Sequence, residues 1–261
     1  MSRLGSVDNA LRLILLLNVG DSYSVTEVAQ SLGVAPSTAH RLLDTLVQRG
    51  FATQAGDRRY SAGPAITRLR DEHDRRHSLA RLARRHLHRL ARSTNETCHL
   101  VVGSGREVRF LVSEEGGHVL RTAIRTGQLL PAHLTASGKV LLADLSPADL
   151  ARLYPVEGVP SIGLDADDVA ALRRDIASAQ QSGLAVNRGA TERGVYAMAV
   201  AIRPADGAAV AALVVSLPMV RQTSGRTAQI LTALRSAAAR LAADIDREDP
   251  LFDRRPALHS S

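Results

Sequence analysis

The residue pattern predicts an α+β chain in two parts. A small winged helix-turn-helix domain comes first, and a larger domain with a mostly antiparallel sheet packed by helices follows. Three observations carry this. A capping box and a Gly-bearing turn set up two short helices between residues 24 and 47. The net charge of +7 lies wholly in residues 1–92, where 15 arginines meet 8 carboxylates, while residues 93–261 hold 18 charges of each sign. Beyond residue 97, β-like runs bounded by Gly turns are interleaved with helical ones.

Taken in order, Ser6 is placed to cap a first helix over Val7–Val19, with Ala10, Leu11, Ile14, Leu15 and Leu17 as its apolar face. Gly20-Asp21-Ser22 is a turn. Ser24-Val25-Thr26-Glu27 fits the capping box, in which hydroxyl and carboxylate each satisfy a free N–H of the other's turn. It opens a helix over Thr26–Leu32 that carries Val28, Ala29 and Leu32 inward and stops at Gly33. Val34-Ala35-Pro36 leads into the next helix, Pro being favoured near a helix start. There Leu42, Leu43, Leu46 and Val47 form an apolar stripe. Ser37, Thr38, His40, Arg41 and Thr45 are left to face phosphates or base edges, as a recognition helix requires. Ser24 and Thr26 join them from the preceding helix start. A hairpin over Phe51–Ser61 reads as a wing that sets Arg58 and Arg59 on the backbone or in the minor groove.

Ala65 to about His77 reads as a polar bridging helix, and apolar spacing returns from Leu79 to Ala91 as the first helix of the second domain. There, Cys98–Val102, Val108–Ser113 and Val119–Ile124 look like strands, and Leu129–His133 like a loop. Helices follow over Lys139–Leu145, from Pro147, and over Asp165–Ser182; then strands over Ala185–Val186, Val195–Ile202 and Ala209–Leu217; then a long helix over Arg226–Ile245. The expected division is a DNA-binding domain over 1–63, a linker helix over 64–78, a second domain over 79–246 and a flexible tail over 247–261.

Composition narrows the function. With 45% apolar residues the chain can build a core. It has no run of about 18 apolar residues, and Met1-Ser2-Arg3-Leu4-Gly5 is no signal-peptide pattern, so a cytoplasmic protein without a membrane partner is expected. The single cysteine, Cys98, excludes an internal disulfide framework and a cysteine zinc cluster. Cys98 and His99 would point to opposite faces of a strand, so they cannot form a nucleophile–base pair with each other. No Walker, dinucleotide, His-Glu-x-x-His or Gly-x-Ser-x-Gly motif occurs, so no catalytic residue, cofactor or metal is expected. The rival readings are an enzyme domain with a DNA-binding appendage and a nonspecific architectural DNA binder. The second leaves the neutral second domain without a purpose.

With these residues in place, the chain resembles the IclR family of transcriptional regulators over nearly its full length. The first stretch of likeness runs from Ser6-Val7 and Ala10-Leu11 through Ser37-Thr38-Ala39-His40-Arg41-Leu42-Leu43 and Leu46 to Gly50. The second comprises Arg125-Thr126-Gly127, Pro131-Ala132-His133, Thr135-Ala136-Ser137-Gly138-Lys139-Val140-Leu141-Leu142-Ala143, Gly194-Val195 and Ser216-Leu217-Pro218. The resemblance implies a winged helix-turn-helix, a linker helix and a GAF-like effector-binding domain. It also implies dimers, often paired into tetramers, on a double-stranded DNA operator, and a small-molecule effector. It nominates Leu130, His133, Ala136, Ser137, Asn187, Ala197, Met198 and Ser216 for the effector site. The chain departs from the family where an acidic pair is replaced by Gly189-Ala190, with Asn187 and Arg188 before it and Glu192 beyond, and where a hydroxyl is replaced by Val214. These losses point away from a very small polar acid and towards a larger, partly apolar one, an aromatic acid among the candidates. Lys139, the only lysine, is a ligand-neutralising candidate or a tie for a loop or interface; His133 is read as a loop-fixing hydrogen-bonder.

Overall fold

A computed structural model describes residues 4–20, 22–205 and 207–248. Two compact units divide between His77 and Ser78. The first holds α1 (Gly5–Asn18), α2 (Val25–Leu32), α3 (Pro36–Gln48) and an antiparallel hairpin of β1 (Ala52–Gln54) and β2 (Tyr60–Ala62), and it contains the start of α4 (Pro64–Thr94). Leu13, Leu17, Val28, Leu32, Leu43, Leu46 and Tyr60 are its core. The capping box forms: Glu27 N–H donates to the Ser24 hydroxyl over 3.3 Å, and Ser24 N–H donates to Glu27 Oε2 over 2.6 Å. Gly33 ends α2 at φ 70°, a left-handed conformation that glycine adopts without Cβ strain.

Four expectations are corrected here. Leu4, not Ser6, stands at the N-cap of α1, with no side-chain bond. Leu11 and Leu15, 57% and 67% exposed, face outward, because the helix turns Leu13 and Leu17 to the core instead. On α3 the fully buried positions are Ala39, Leu43 and Leu46, with Leu42 packed partly against them, while Val47 stays exposed. The stripe thus follows i, i+4, i+7 and leaves Val47 past its edge. The expected polar helix and its apolar successor are one helix, α4, because neither Gly nor Pro interrupts residues 65–94. It ends where Asn95 takes φ 55°.

In the second unit, β3 (Thr97–Ser104), β4 (Glu107–Glu114), β5 (Leu129–Pro131), β6 (Ala185–Arg188), β7 (Val195–Ile202) and β8 (Ala211–Pro218) form one antiparallel sheet in the order β5-β4-β3-β8-β7-β6. The second half of α4 and α8 (Ser224–Glu248) cover one face through Leu87, Leu90, Leu234 and Leu241 over Cys98, Leu100, Met198 and Val215. The other face meets α5 (Ala136–Leu142), α6 (Pro147–Leu153) and α7 (Ala166–Ser182), where Val140, Leu141, Leu150, Val169 and Ile176 pack with Val101, Phe110, Ala199 and Val214. An extra residue, Leu111, makes a bulge in β4, since Leu100 pairs with Val112 and Val101 with Phe110.

Val119–Ile124 is not a strand. Its carbonyls accept from side chains instead, Leu120 from Arg221 over 2.8 Å and Thr122 from the Thr97 hydroxyl over 2.9 Å. The sheet edge belongs to Leu129–Pro131, which the sequence suggested as loop. The expected tail over 247–261 starts within α8, which reaches Glu248; residues 249–261 lie outside the described residues.

Candidate functional site

On α3, Ser37, Thr38, His40, Arg41 and Thr45 are all exposed, opposite Ala39, Leu43 and Leu46. His40 Nδ1 lies 2.9 Å from Asp44 Oδ2, and the Thr45 hydroxyl donates to the Arg41 carbonyl over 2.8 Å. Arg41, Ser37 and Thr38 have no side-chain partner among the described residues. The two wing arginines differ. Arg58 is exposed and takes φ 64°, an uncommon conformation for a residue with a Cβ. Arg59 turns inward: Nε donates to the Ser22 hydroxyl over 2.9 Å, and Nη2 to the Ser22 carbonyl over 2.6 Å and to Glu27 over 2.9 Å. Arg59 therefore fastens the wing to the start of α2 rather than reaching outward. Ser24 is committed to its cap, and Thr26 is exposed beside it.

In the second unit, strand register aligns the candidate effector residues. Residues directly opposite one another share a face. One row across the sheet is Thr97–Ser216–Ala197–Asn187, and the next is Ser113–His99–Val214–Ala199–Ala185. Both lie on the α5–α7 side. Ser216, Ala197 and Asn187 therefore stand side by side. Met198, expected with them, is buried in the opposite core, because consecutive strand residues alternate between faces.

His99 is the hub of this face; the sequence set it only beside Cys98 and did not nominate it for the effector site. Its Nδ1 lies 2.8 Å from the Ser113 hydroxyl and its Nε2 2.9 Å from that of Ser216. Ser216 is in turn 2.7 Å from the Thr122 hydroxyl. Burial, and then the charge of Arg125, push the imidazole from 6.5 to about 3, so it is neutral, edge-on to Phe110 at 5.2 Å. Arg125 donates its backbone N–H to Ser113 over 3.3 Å, and its guanidinium pairs with Glu192. Ser113, Thr122 and Arg125 were equally missed. For His99 and Ser113 the available signal was parity along β3 and β4, which becomes usable only when the register is known; Thr122 and Arg125, on the loop after β4, carry no such signal.

The Thr135–Gly138 segment is an anchor. Thr135 caps α5 by accepting from Gly138 N–H over 2.9 Å, and its hydroxyl reaches the Ala132 carbonyl at 3.2 Å. A Cβ on Gly138 would lie 2.0 Å from that carbonyl oxygen, so only glycine fits. This seats Ala136 and Ser137, both buried, over the sheet face. Leu130 and His133 are half-buried; His133 is edge-on to Tyr154 at 6.1 Å, its Nδ1 buried without a partner among the described residues, and burial followed by the Lys139 charge lowers its pKa. Lys139 pairs with Asp175 over 2.5 Å, so it ties α5 to α7. Asn187 holds its own loop, accepting from Ala190 N–H over 2.8 Å and donating to the Thr191 hydroxyl over 2.9 Å. Cys98 faces the other core, where burial raises its thiol to about 12, far from a nucleophile's range. Among the described residues, no helix is long and apolar enough to cross a membrane, and no group of three His, Cys, Asp or Glu could hold a metal.

A helix-turn-helix with an exposed polar recognition face, followed by an α+β domain with a polar row on a helix-covered sheet, defines a DNA-binding regulator of the sensor type. The IclR helix-turn-helix domain model matches residues 6–56, and the model of the bacterial transcriptional regulator IclR C-terminal domain matches residues 74–243. The HTH-type transcriptional regulator BhcR of Paracoccus denitrificans is 32% identical over 238 residues, covering 90% of this chain and 85% of its own. The transcriptional repressor IclR of Escherichia coli is 27% identical over 213 residues, covering 80% and 77%. Among solved structures, an IclR transcriptional regulator of a Silicibacter species has a TM-score of 0.60 at 28% identity, covering 92% of this chain and 96% of its own. An IclR homologue of Microbacterium hydrocarbonoxydans, complexed with 4-hydroxybenzoate, has a TM-score of 0.58 at 24% identity, covering 93% and 100%. The chain belongs to the IclR family: it is a transcriptional regulator with a helix-turn-helix domain and a C-terminal effector-binding domain, in a family of DNA-binding regulators rather than enzymes.

Proposed function

We propose that the chain is a sequence-specific operator-binding protein whose hold on DNA is set by a small organic acid with an apolar, aromatic body. The observation that carries the first half is the outer face of α3, where Ser37, Thr38, His40, Arg41 and Thr45 stand exposed on a helix whose other side is buried. Arg58, Ser24 and Thr26 supplement it, and Arg59 contributes by holding the wing. In this reading residues 1–63 bind DNA, 64–78 link, and 79–246 sense. The apolar stripe Leu4, Val7, Leu11 and Leu15 on α1, each more than half exposed, supports a homodimer, the basis of any tetramer.

For the effector, Leu130, Ala136, Ser137, Ala197 and Ser216 surround a sheet face that sets apolar Val101, Phe110, Val214 and Ala199 beside the polar cluster of Thr97, His99 and Ser113. Such a face suits an acid with an apolar ring, and the 4-hydroxybenzoate held by a structural neighbour is an aromatic acid. Thr97, in the polar row, begins β3 three residues after α4 ends at Thr94. A ligand that prefers one arrangement of that junction would shift operator affinity; one with equal affinity for both would not.

The test is fluorescence anisotropy with the duplex upstream of the protein's own gene against a shuffled duplex, across salt. Tight binding to the native duplex only is expected, with Arg41→Ala losing about 1–3 kcal/mol there and little on the shuffled control. Equal, salt-labile binding to both duplexes would instead favour the nonspecific architectural reading.

A further inference from the structure

We infer that Arg125 is the carboxylate-receiving residue of the effector site, and that Glu192 holds its place there until a ligand acid displaces it. This rests on the acid-effector reading above and adds the group that reads the charge.

Two loops leave the sheet at the same end. One joins β4 to β5 and carries Arg125; the other joins β6 to β7 and carries Glu192. The strand ends they adjoin are aligned, with Cys98 opposite Glu114, Thr97 opposite Ser216 and Val195 opposite Pro218. The Arg125–Glu192 pair joins these loops at the end of the sheet where Thr97, Ser216 and Thr122 cluster. Arg125 is also near enough for its charge to act on His99.

Charge and exposure assign the roles within the pair. The sheet face itself carries no formal charge, since His99 is neutral and its neighbours are hydroxyls. Lys139 is committed to Asp175 and Arg221 to Glu96 through two bonds of 2.9 and 2.6 Å, while Arg193, beside Glu192, stands exposed in water. The Arg125 side chain is 20% exposed and that of Glu192 is 51% exposed. Glu192 can therefore return to water at little cost, whereas Arg125, largely covered, requires an anion. Exchanging one carboxylate for another is close to neutral in charge terms, so apolar burial of the ligand's body decides the exchange. The Arg125 N–H to Ser113 bond is made by the backbone and survives side-chain substitution.

The full-length protein, Arg125→Gln, Arg125→Lys and Glu192→Gln are titrated calorimetrically with benzoate, 4-hydroxybenzoate and hexanoate, and with uncharged benzamide, after circular dichroism confirms folding. Glu192→Gln should bind at least one carboxylate about fivefold tighter than wild type and Arg125→Gln about tenfold weaker, with Arg125→Lys between wild type and Gln and benzamide unaffected by either charge removal. A merely structural latch would make Arg125→Gln and Glu192→Gln change binding in the same direction, which overturns the assignment. Carboxylate binding indifferent to both substitutions overturns it too, while the acid-effector reading stands. If no carboxylate binds wild type or Glu192→Gln, both fall. Should Arg125→Gln not fold, the sign of the Glu192→Gln effect decides alone.

Discussion

The outer face of α3 and the α5-covered face of the sheet are built from nearly the same side chains. One has Ser37, Thr38, Thr45, His40 and Arg41; the other has Ser113, Ser216, Thr97, Thr122, His99 and Arg125. Their environments are opposite. On α3 the polar groups are in water, and Arg41 is unpaired among the described residues. On and beside the sheet, Thr97, His99, Thr122 and Ser216 are buried and Ser113 and Arg125 half-buried, and they are bonded to one another. Burial and partnership, rather than composition, thus separate polar groups left free to exchange water for another partner from a network already satisfied from within.

Three changes probe that contrast. The largest effect is expected from Gly138→Ala, whose Cβ would collide with the Ala132 carbonyl that anchors the roof of the sheet face. It should destabilise the second unit by about 3 kcal/mol, a cost at the upper end for overpacking. Denaturant unfolding followed together with duplex binding by the remaining folded protein would check this; an unchanged midpoint would contradict the close approach.

Next comes acidification. Between about 3 and 6.5 the unfolded chain carries a proton on residue 99 that the folded chain does not, so stability falls as pH falls through that window. The loss from this group is about 2 kcal/mol on going from pH 6.5 to 5, and His86, also lowered chiefly by burial, acts in the same direction. His99→Asn should be less stable at pH 7.5 yet show a flatter decline in melts down to pH 5; an undiminished slope would remove His99 from the account.

The smallest effect belongs to the wing. Arg58→Gly relieves a left-handed Cβ and should raise stability by up to about 1 kcal/mol, while weakening native and shuffled duplexes alike. A melting temperature that falls would show that Arg58 makes contacts beyond its backbone geometry.

The first unit was legible because its signals are local. Ser24, Glu27, Gly33 and Pro36 mark helix ends through contacts within three or four residues, and they fall where expected. Arg59 was misjudged because its partners, Ser22 and Glu27, are 37 and 32 residues away. In the second unit, strands such as Val195–Ile202 followed from alternation, but their faces depended on pairing partners that alternation does not specify. Met198 was grouped with Ala197 for that reason. Likewise Val119–Ile124 has strand-like residues, yet the side chains of Thr97 and Arg221 take up its carbonyls.

The bulge at Leu111 puts Phe110 and Ser113, three positions apart, on the face of His99, where strict alternation would separate them. The surplus residue is a store of slack in the chain. Losing it would leave every neighbour of His99 facing as before, whereas losing Arg109 would reverse the strand below it and turn Val108 away from its core. Drift of one residue in the length of β4 is therefore absorbed at that position without changing which side chains face His99.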